Sequence, residues 1–385
     1  MPHPFFLGGI TSSSYKRLHR PIKPILTKAP LLKSRCNRPL QMEFEHQLDA
    51  LIFFHLEEHT SGRHLMQTLQ EDDFARDNIA PPAGIKKSAF FEAMTERGLE
   101  QFIFVFQELQ KQARKTLPQQ FSELGELVAV DGSLIDAVLS MHWADYRDGA
   151  KKAKSHIGFN LNCAIPQKLV LTDGKGSERQ SVKQILEPGQ TGIMDRGYQS
   201  HKFFDDWQAN GIHFICRIKS NTIKTCLQKF PVAEGSNVFY DAKVMLGIQG
   251  IDRPEKPLRL VGYQVGRKSY WVATDRFDLT AEQIAQAYKL RWEIEKFFAW
   301  WKRHLRVYPL ISRSHHGLMI QILSGLITYL LLAIYCHEQY NERGSIQRVR
   351  QLRNKILNET RAAKAAELES VDLCQKTKHN LYASP

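Results

Sequence analysis

The stretch Tyr288-Lys-Leu-Arg291-Trp-Glu-Ile-Glu295-Lys-Phe-Phe-Ala-Trp-Trp-Lys302 decides how the rest of the chain is read. Its spacing predicts an α-helix. At about 100° per residue, with Tyr288 at zero, Arg291 falls at about −60°, Glu295 at about −20° and Lys302 at about −40°. These four share one narrow polar face. Leu290, Ile294, Phe297, Phe298, Trp301 and Leu305 fall between about 180° and 280°, flanking that face and running round to the other side, and mark a core-facing stripe. Taken alone, the polar face reads as ordinary solvated surface. The sequence around it changes that reading.

The chain has 385 residues, too many for one ordinary core, so two or three domains are expected. Its 53 Lys and Arg outnumber 40 Asp and Glu, giving a formal charge of +13. That excess favours a polyanionic partner, nucleic acid ahead of an anionic membrane surface. The cysteines (Cys36, Cys163, Cys216, Cys226, Cys336 and Cys374) are scattered, with no CxxC and no Cys/His cluster. They read as reduced thiols of a cytoplasmic protein, not as a disulfide framework or a zinc site.

Upstream of the helix the pattern is that of a mixed α/β layer. Leu127-Val-Ala-Val130 reads as a short buried strand ending in Asp131-Gly132-Ser133. Ile157 to Leu161 and Leu169 to Leu171 read as two more strands, and Ser177 to Leu186 as a helix closed by Pro188-Gly189. Gly192 to Met194 is a strand running into Asp195-Arg196-Gly197-Tyr198. A helix follows through Phe203, Phe204 and Trp207, then a strand from Ile212 to Arg217. A strand end holds a side chain rigidly at a sheet edge where a ligand can approach. It is also a common place for an Asp that merely caps a turn. Mg²⁺ takes oxygen ligands, typically one or two carboxylates with phosphate and water. Two such ions roughly 4 Å apart clamp the attacking and leaving oxygens of an in-line phosphoryl displacement. Asp131 and Asp195 from two strand ends and Glu295 from the helix face are the candidate ligands.

Those motifs, Val130-Asp131-Gly132-Ser133, Asp195-Arg196-Gly197-Tyr198 and Tyr288-x2-Arg291-x3-Glu295-x6-Lys302, occur in this order. Together they resemble the DDE transposases of bacterial insertion sequences, specifically the IS-four family, whose signature spacing is met at all four positions. The resemblance covers about residues 45–340. It implies an α/β fold with an RNase H-like core, a mixed sheet with flanking helices. It implies cut-and-paste transposition: terminal inverted repeats are bound and hydrolysed with metal, and the freed 3′-OH attacks target DNA. Asp131, Asp195 and Glu295 are then the metal-binding catalytic triad, taking Mg²⁺, or Mn²⁺ in its place, as two ions. Tyr288, Arg291 and Lys302 hold DNA phosphates, and Arg217 matches another phosphate-contacting position more weakly. The partners implied are double-stranded DNA and a second copy of the chain. Two other classes remain open: an idle DNA-binding descendant, and an RNase H-like nuclease without strand transfer.

The flanks are read more coarsely. Residues 1–42 lack Asp and Glu and carry eight Lys or Arg among Pro and Ser, which reads as a disordered basic leader or as upstream translation before Met42. Residues 43–118 read as a helical DNA-binding domain, with Lys86 and Lys87 at a basic helix start that fits a helix-turn-helix. The catalytic domain is expected at 119–310, with a β-rich insertion at about 219–276. Trp271 or Tyr270 there offers either a stacking face for a base or a core aromatic. The helical C-terminal region is expected at 311–385. Its apolar run from Leu318 to Cys336 is long enough for a membrane, but Gln321, Ser324 and Thr328 and the lack of a second span predict a buried core helix instead.

Overall fold

The structure, a computed structural model, describes residues 12–32, 40, 42–304 and 309–381, with side chains for all of these except 304, 367 and 370–381. The chain forms two compact units that do not follow chain order: Met1–Lys115 together with Trp300–Pro385, and Thr116–Ala299. The helical regions expected separately at either end thus belong to one unit.

That unit begins inside the leader. Helices α1 (Ser13–His19) and α2 (Lys23–Leu26) bury Leu18, Ile22 and Ile25. The expectation of a disordered arm is therefore wrong for this part. Leu18, Ile22 and Ile25 are spaced i, i+4, i+7 and form one apolar stripe. The unit continues through α3 (Phe44–Leu56), α4 (Gly62–Glu71), α5 (Asp73–Asn78), α6 (Lys87–Glu96) and α7 (Leu99–Thr116). Ser61 separates α3 from α4 by capping: its hydroxyl accepts from His64 N at 3.1 Å.

The second unit is built on a nine-stranded sheet. Its elements are β1 (Leu127–Asp136), β2 (Lys152–Asn160), β3 (Ile165–Asp173), α8 (Glu178–Ile185), β4 (Thr191–Met194), α9 (His201–Ala209), β5 (His213–Arg217), β6 (Lys224–Lys229), β7 (Val238–Leu246), β8 (Leu258–Val265), β9 (Lys268–Thr274), α10 (Ala281–Lys289) and α11 (Trp292–His304), the last running past Ala299. The strand order is β3-β2-β1-β4-β5-β9-β8-β7-β6. β1, β4 and β5 run parallel and the remaining pairs are antiparallel. The apolar run of β1 suits a central strand covered on both faces. Val128 and Val130 join Phe214, Cys216, Val182 and Ile185 of α8, and Phe204 and Trp207 of α9, in one core cluster. Ala129, Ile193 and Ile215, on the opposite face, are equally buried. The sheet is mixed and flanked by helices, the α/β class expected. The insertion is no separate body, because β9 pairs with β5 and extends the same sheet. One expectation fails: β1 continues to Asp136, so Asp131 lies within the strand and not at its end.

The chain then returns to the helical unit with α12 (His315–Tyr340) and α13 (Ile346–Leu381). Among the described residues α12 is the one helix long and apolar enough to cross a membrane, and most of it is buried in the protein. Its buried Gln321, Ser324 and Thr328 are satisfied inside. Ser324 Oγ meets His55 Nε2 of α3 at 3.0 Å, and Gln321 accepts from Ile311 N and donates to Pro309 O, both at 2.9 Å. α13 receives α1: Ser12 Oγ and Ser14 N donate to Glu359 Oε2 at 2.6 and 2.9 Å.

Candidate active site

Strand register brings the first candidates together. β1 and β4 pair Leu127 with Thr191, Val128 with Gly192 and Ala129 with Ile193. β4 and β5 pair Ile193 with Ile215 and Met194 with Cys216. Carried just beyond the last pairs, the same offsets set Asp131, Asp195 and Arg217 level on three adjacent parallel strands. They sit at the carboxyl ends of β4 and β5, where open α/β sheets bind ligands.

Each acid is fixed locally. Asp131 Oδ1 accepts from Gly132 N at 2.8 Å. Asp195 Oδ1 accepts from Gly197 N at 2.7 Å, so the turn after β4 is closed by the acid's own side chain. Gly197 is closely packed there: a Cβ would stand 3.0 Å from Asp195 Oδ1 and 3.4 Å from Glu178 Oε2, so a larger residue would shift these carboxylates. Burial pushes the Asp131 carboxyl up to about 6. The Gly132 N–H opposes the rise, the charge of Asp195 adds to it, Arg291 lowers it and Glu178 raises it. The Tyr198 hydroxyl is buried and has no hydrogen-bond partner among the described residues. Burial holds it far above the ordinary phenol range, and Asp131, Glu178 and Asp195 add to the shift.

The third carboxylate comes from the opening stretch, and here the continuous helix expected over 288–302 is corrected. Leu290 and Arg291 form a turn between α10 and α11, with Arg291 N donating to Tyr288 O at 3.1 Å and Ile294 N to Arg291 O at 3.2 Å. These bonds span three residues and tighten the ladder locally. α10 itself starts on a Thr280/Gln283 capping box and carries the buried Tyr288 at its end. Arg291 Nη2 donates to Glu295 Oε1 at 2.6 Å, and the guanidinium lies 5.9 Å from the centre of the Tyr288 ring. Burial holds the Tyr288 phenol protonated well above its usual range. Glu293 turns to Lys296 instead, at 2.8 Å. Lys302 lies on α11 beyond Ala299, in the helical unit, where Lys86 and Lys87 also stand exposed at the start of α6.

Arg217 is held by an aromatic ladder. Its guanidinium lies 4.9 Å from the centre of Tyr270. Tyr270 stacks on Tyr263 at 5.4 Å and meets Tyr288 at 6.4 Å. Trp271 points into the opposite core with Phe239 and Tyr240, so of the two aromatics it is the structural one. One participant carries no motif: Glu178, in the first turn of α8, pairs with Lys154 at 3.1 Å. An acid in a first helical turn is ordinary, so nothing in the spacing distinguishes it.

Among the described residues no three His, Cys, Asp or Glu side chains are gathered closely enough to hold a metal ion. The donor chemistry nonetheless fits a hard divalent cation. The acids offer oxygen only, Asp131 and Asp195 repel one another, and Glu295 is held aside by Arg291.

Residues 123–331 match the family described as the transposase DDE domain. The chain is 30% identical over 198 residues to y4zB of Sinorhizobium fredii, named as a transposase; the match spans 50% of this chain and 56% of that protein. It is 26% identical over 276 residues to a protein of Synechocystis named as a transposase for insertion sequence element IS4SA, spanning 70% of this chain and 77% of the relative. A third relative, from Geobacillus stearothermophilus and named for insertion sequence element IS5377, is 25% identical over 193 residues, 49% of this chain and 51% of its own. The chain thus spans little more than half the length of the first and third relatives.

Proposed function

This chain belongs to the DDE transposase family, and from that premise we propose that it binds the terminal inverted repeats of an insertion sequence and performs metal-dependent DNA cleavage and strand transfer by cut and paste. The observation that carries the reading is the level placement of Asp131, Asp195 and Arg217 on three parallel strands, with Glu295 one hydrogen bond from Arg291. Asp131, Asp195 and Glu295 would hold Mg²⁺ or Mn²⁺, as one or two ions. When bound, the metal supplies positive charge against the oxygens of the scissile phosphate.

The chain's own residues do the rest. Arg217 and Arg291 offer fixed cationic forks for phosphate oxygens, each oriented by a tyrosine ring. Tyr288, kept as a neutral phenol, donates a hydrogen bond without adding charge. Lys302, Lys86 and Lys87 contact DNA phosphates from the helical unit. Two copies act together, one on each element end, in the cytoplasm. The test is single-turnover nicking with Mg²⁺ of DNA carrying the inverted repeats that flank the coding region. Asp131→Asn and Asp195→Asn are expected to bind that DNA and leave it intact. Cleavage by either variant at the parent rate would overturn the assignment.

A further inference from the structure

Successive side chains of a strand point to opposite faces of its sheet. Val128 and Val130 of β1 face α8 and α9, so Gly132 faces them too and Asp131 points away. Glu178, in the first turn of α8, therefore meets the acids from one face of the sheet. Glu295 comes from the other: Phe297 of its helix packs on Phe159, the cross-strand partner of Ala129. Two glycines make room for Glu178. A Cβ on Gly132 would stand 3.2 Å from Glu178 Oε1, and one on Gly197 would stand 3.4 Å from Glu178 Oε2 and 3.0 Å from Asp195 Oδ1. The Glu178 and Asp195 carboxylates thus lie on either side of the space of one methyl group.

The two oxygens of Glu178 are used differently. Oε1 accepts from Lys154 Nζ at 3.1 Å, and the same ammonium donates to Gly176 O, just before α8, at 3.4 Å. That pairing aims the carboxylate, as donors behind metal-ligating carboxylates commonly do. Oε2 accepts no hydrogen bond among the described residues and faces Asp195. Two buried polar groups stand beside these oxygens. The Tyr198 side chain is fully buried, its hydroxyl has no partner among the described residues, and the charges of Asp131, Glu178 and Asp195 all act on it. His156, paired with Gly132 across the strands, is fully buried as well, and its Nδ1 has no partner among the described residues. A buried donor left unmatched is costly. An oxygen held between the acids, such as a water on a metal ion, gives the Tyr198 hydroxyl its acceptor.

Oxygen-only ligands suit a hard divalent cation, and a divalent charge between mutually repelling carboxylates turns repulsion into attraction. Such an ion takes oxygens at about 2.1 Å, so it spans the Gly197 gap once the flexible Glu178 side chain swings toward Asp195. Glu295 is committed to Arg291 at 2.6 Å. We propose that Glu178 is a fourth carboxylate of the metal site, and that the DNA-free chain holds one divalent ion between Asp131, Asp195 and Glu178 Oε2. Tyr198 acts as a positioning residue, donating to a water on that ion. The assignment rests on the metal-dependent transposase reading and adds to it a ligand from the opposite face of the sheet, one that loads the ion before DNA releases Glu295.

Calorimetric titration of Mn²⁺ into the full-length, DNA-free chain tests it. Glu178→Gln keeps an acceptor for Lys154 and should weaken binding by about tenfold or more, since even groups behind the ligands are worth that much. Glu178→Asp keeps the charge but shortens the reach, and should weaken binding nearly as far. Wild-type affinity in the aspartate variant would make Glu178 a remote charge and overturn the ligand. With Asp195→Asn already in place, Glu178→Gln should cost less than about threefold more, because two ligands of one ion are coupled. Full additivity contradicts the shared ion. Tyr198→Phe should weaken Mn²⁺ binding by about tenfold and leave the melting temperature of the metal-free chain unchanged or raised. A lower melting temperature with unchanged affinity makes the tyrosine structural and removes its part. Mn²⁺ affinity within about twofold of wild type in both Glu178 variants, or a wild-type chain that binds no Mn²⁺ without DNA, overturns the fourth ligand. The transposase reading falls instead to the nicking assay above, and would take this site with it.

Discussion

Arg291 and Glu295 neutralise one another at 2.6 Å across the turn that joins α10 to α11. Under the proposed function, a phosphate arriving at Arg291 would compete for the same guanidinium and free the carboxylate. Removing the arginine without DNA should do likewise. Arg291→Ala is expected to tighten Mn²⁺ binding to the DNA-free chain by about tenfold, about 1.4 kcal/mol and the scale of one charge-assisted hydrogen bond, while weakening DNA binding. Calorimetric titration with Mn²⁺ reads the first effect; unchanged or weaker metal binding would count against the competition.

Asp131 makes stability depend on pH. Its folded-state carboxyl titrates at about 6, above the roughly 3.9 of an unfolded aspartate. Between those values the folded state holds the extra proton, so the contribution is fully present below about pH 4 and lost as pH rises through about 6. Above that the loss is on the order of 2–3 kcal/mol. Asp131→Asn should therefore raise the melting temperature at pH 7.5 by about 5 °C and leave it unchanged at pH 4. Mg²⁺ should raise the melting temperature of the parent and not of the variant. A variant no more stable than the parent at pH 7.5 would refute this.

Glu295 and Glu293 should separate cleanly in function. Glu295 faces Arg291, whereas Glu293 is committed to Lys296. Glu295→Gln is expected to bind terminal DNA and fail to nick it. Glu293→Gln should nick within about tenfold of the parent, about 1.4 kcal/mol of barrier. Asp136, the exposed end of β1 paired with Lys152 at 2.7 Å, should behave like Glu293. The assignment is wrong if Glu293→Gln is dead while Glu295→Gln cuts.

The insertion depends on a buried ion pair. Arg259 donates to Asp241 through Nε at 2.9 Å and Nη2 at 2.7 Å, and both residues are less than a tenth exposed. Asp241→Ala leaves the guanidinium buried without a counter-charge, its remaining bond running to Leu279 O, a cost of about 3–5 kcal/mol. Asp241→Ala with Arg259→Met should recover most of it. Urea unfolding of both variants checks this; a single-variant loss under about 1 kcal/mol would contradict the pairing.

Much of the catalytic sheet was legible because its central strands are short apolar runs bounded by turns, and because Asp195 and the spaced Tyr288, Arg291 and Glu295 form motifs. The turn at Leu290–Arg291 was not. No Gly or Pro marks it, and Ile294, Phe297 and Phe298 keep the helical period across it. β6 escaped because Lys-Thr-Cys-Leu-Gln-Lys shows no clear alternation, as suits an exposed edge strand guarded by lysines. Glu178 became visible only through folding, which sets α8 beside Asp195. The burial of α1 was hidden by the basic composition around Leu18, Ile22 and Ile25. That α3 and α6 pack against α12 leaves no local trace, since partners so far apart share no periodicity.

The helical unit's split origin bears on how the chain is made. A ribosome adding about 5–20 residues per second spends roughly ten to forty seconds on residues 116–299 after α3 and α6 have emerged. Throughout that interval the surface around His55 waits for a helix that does not yet exist. The nine-stranded sheet, complete within one continuous segment, can close first. A message broken before residue 315 would therefore release a formed catalytic sheet attached to bare N-terminal helices, a product suited to aggregation or proteolysis. Folding of the helical unit thus waits on the synthesis of α12, whereas folding of the sheet does not.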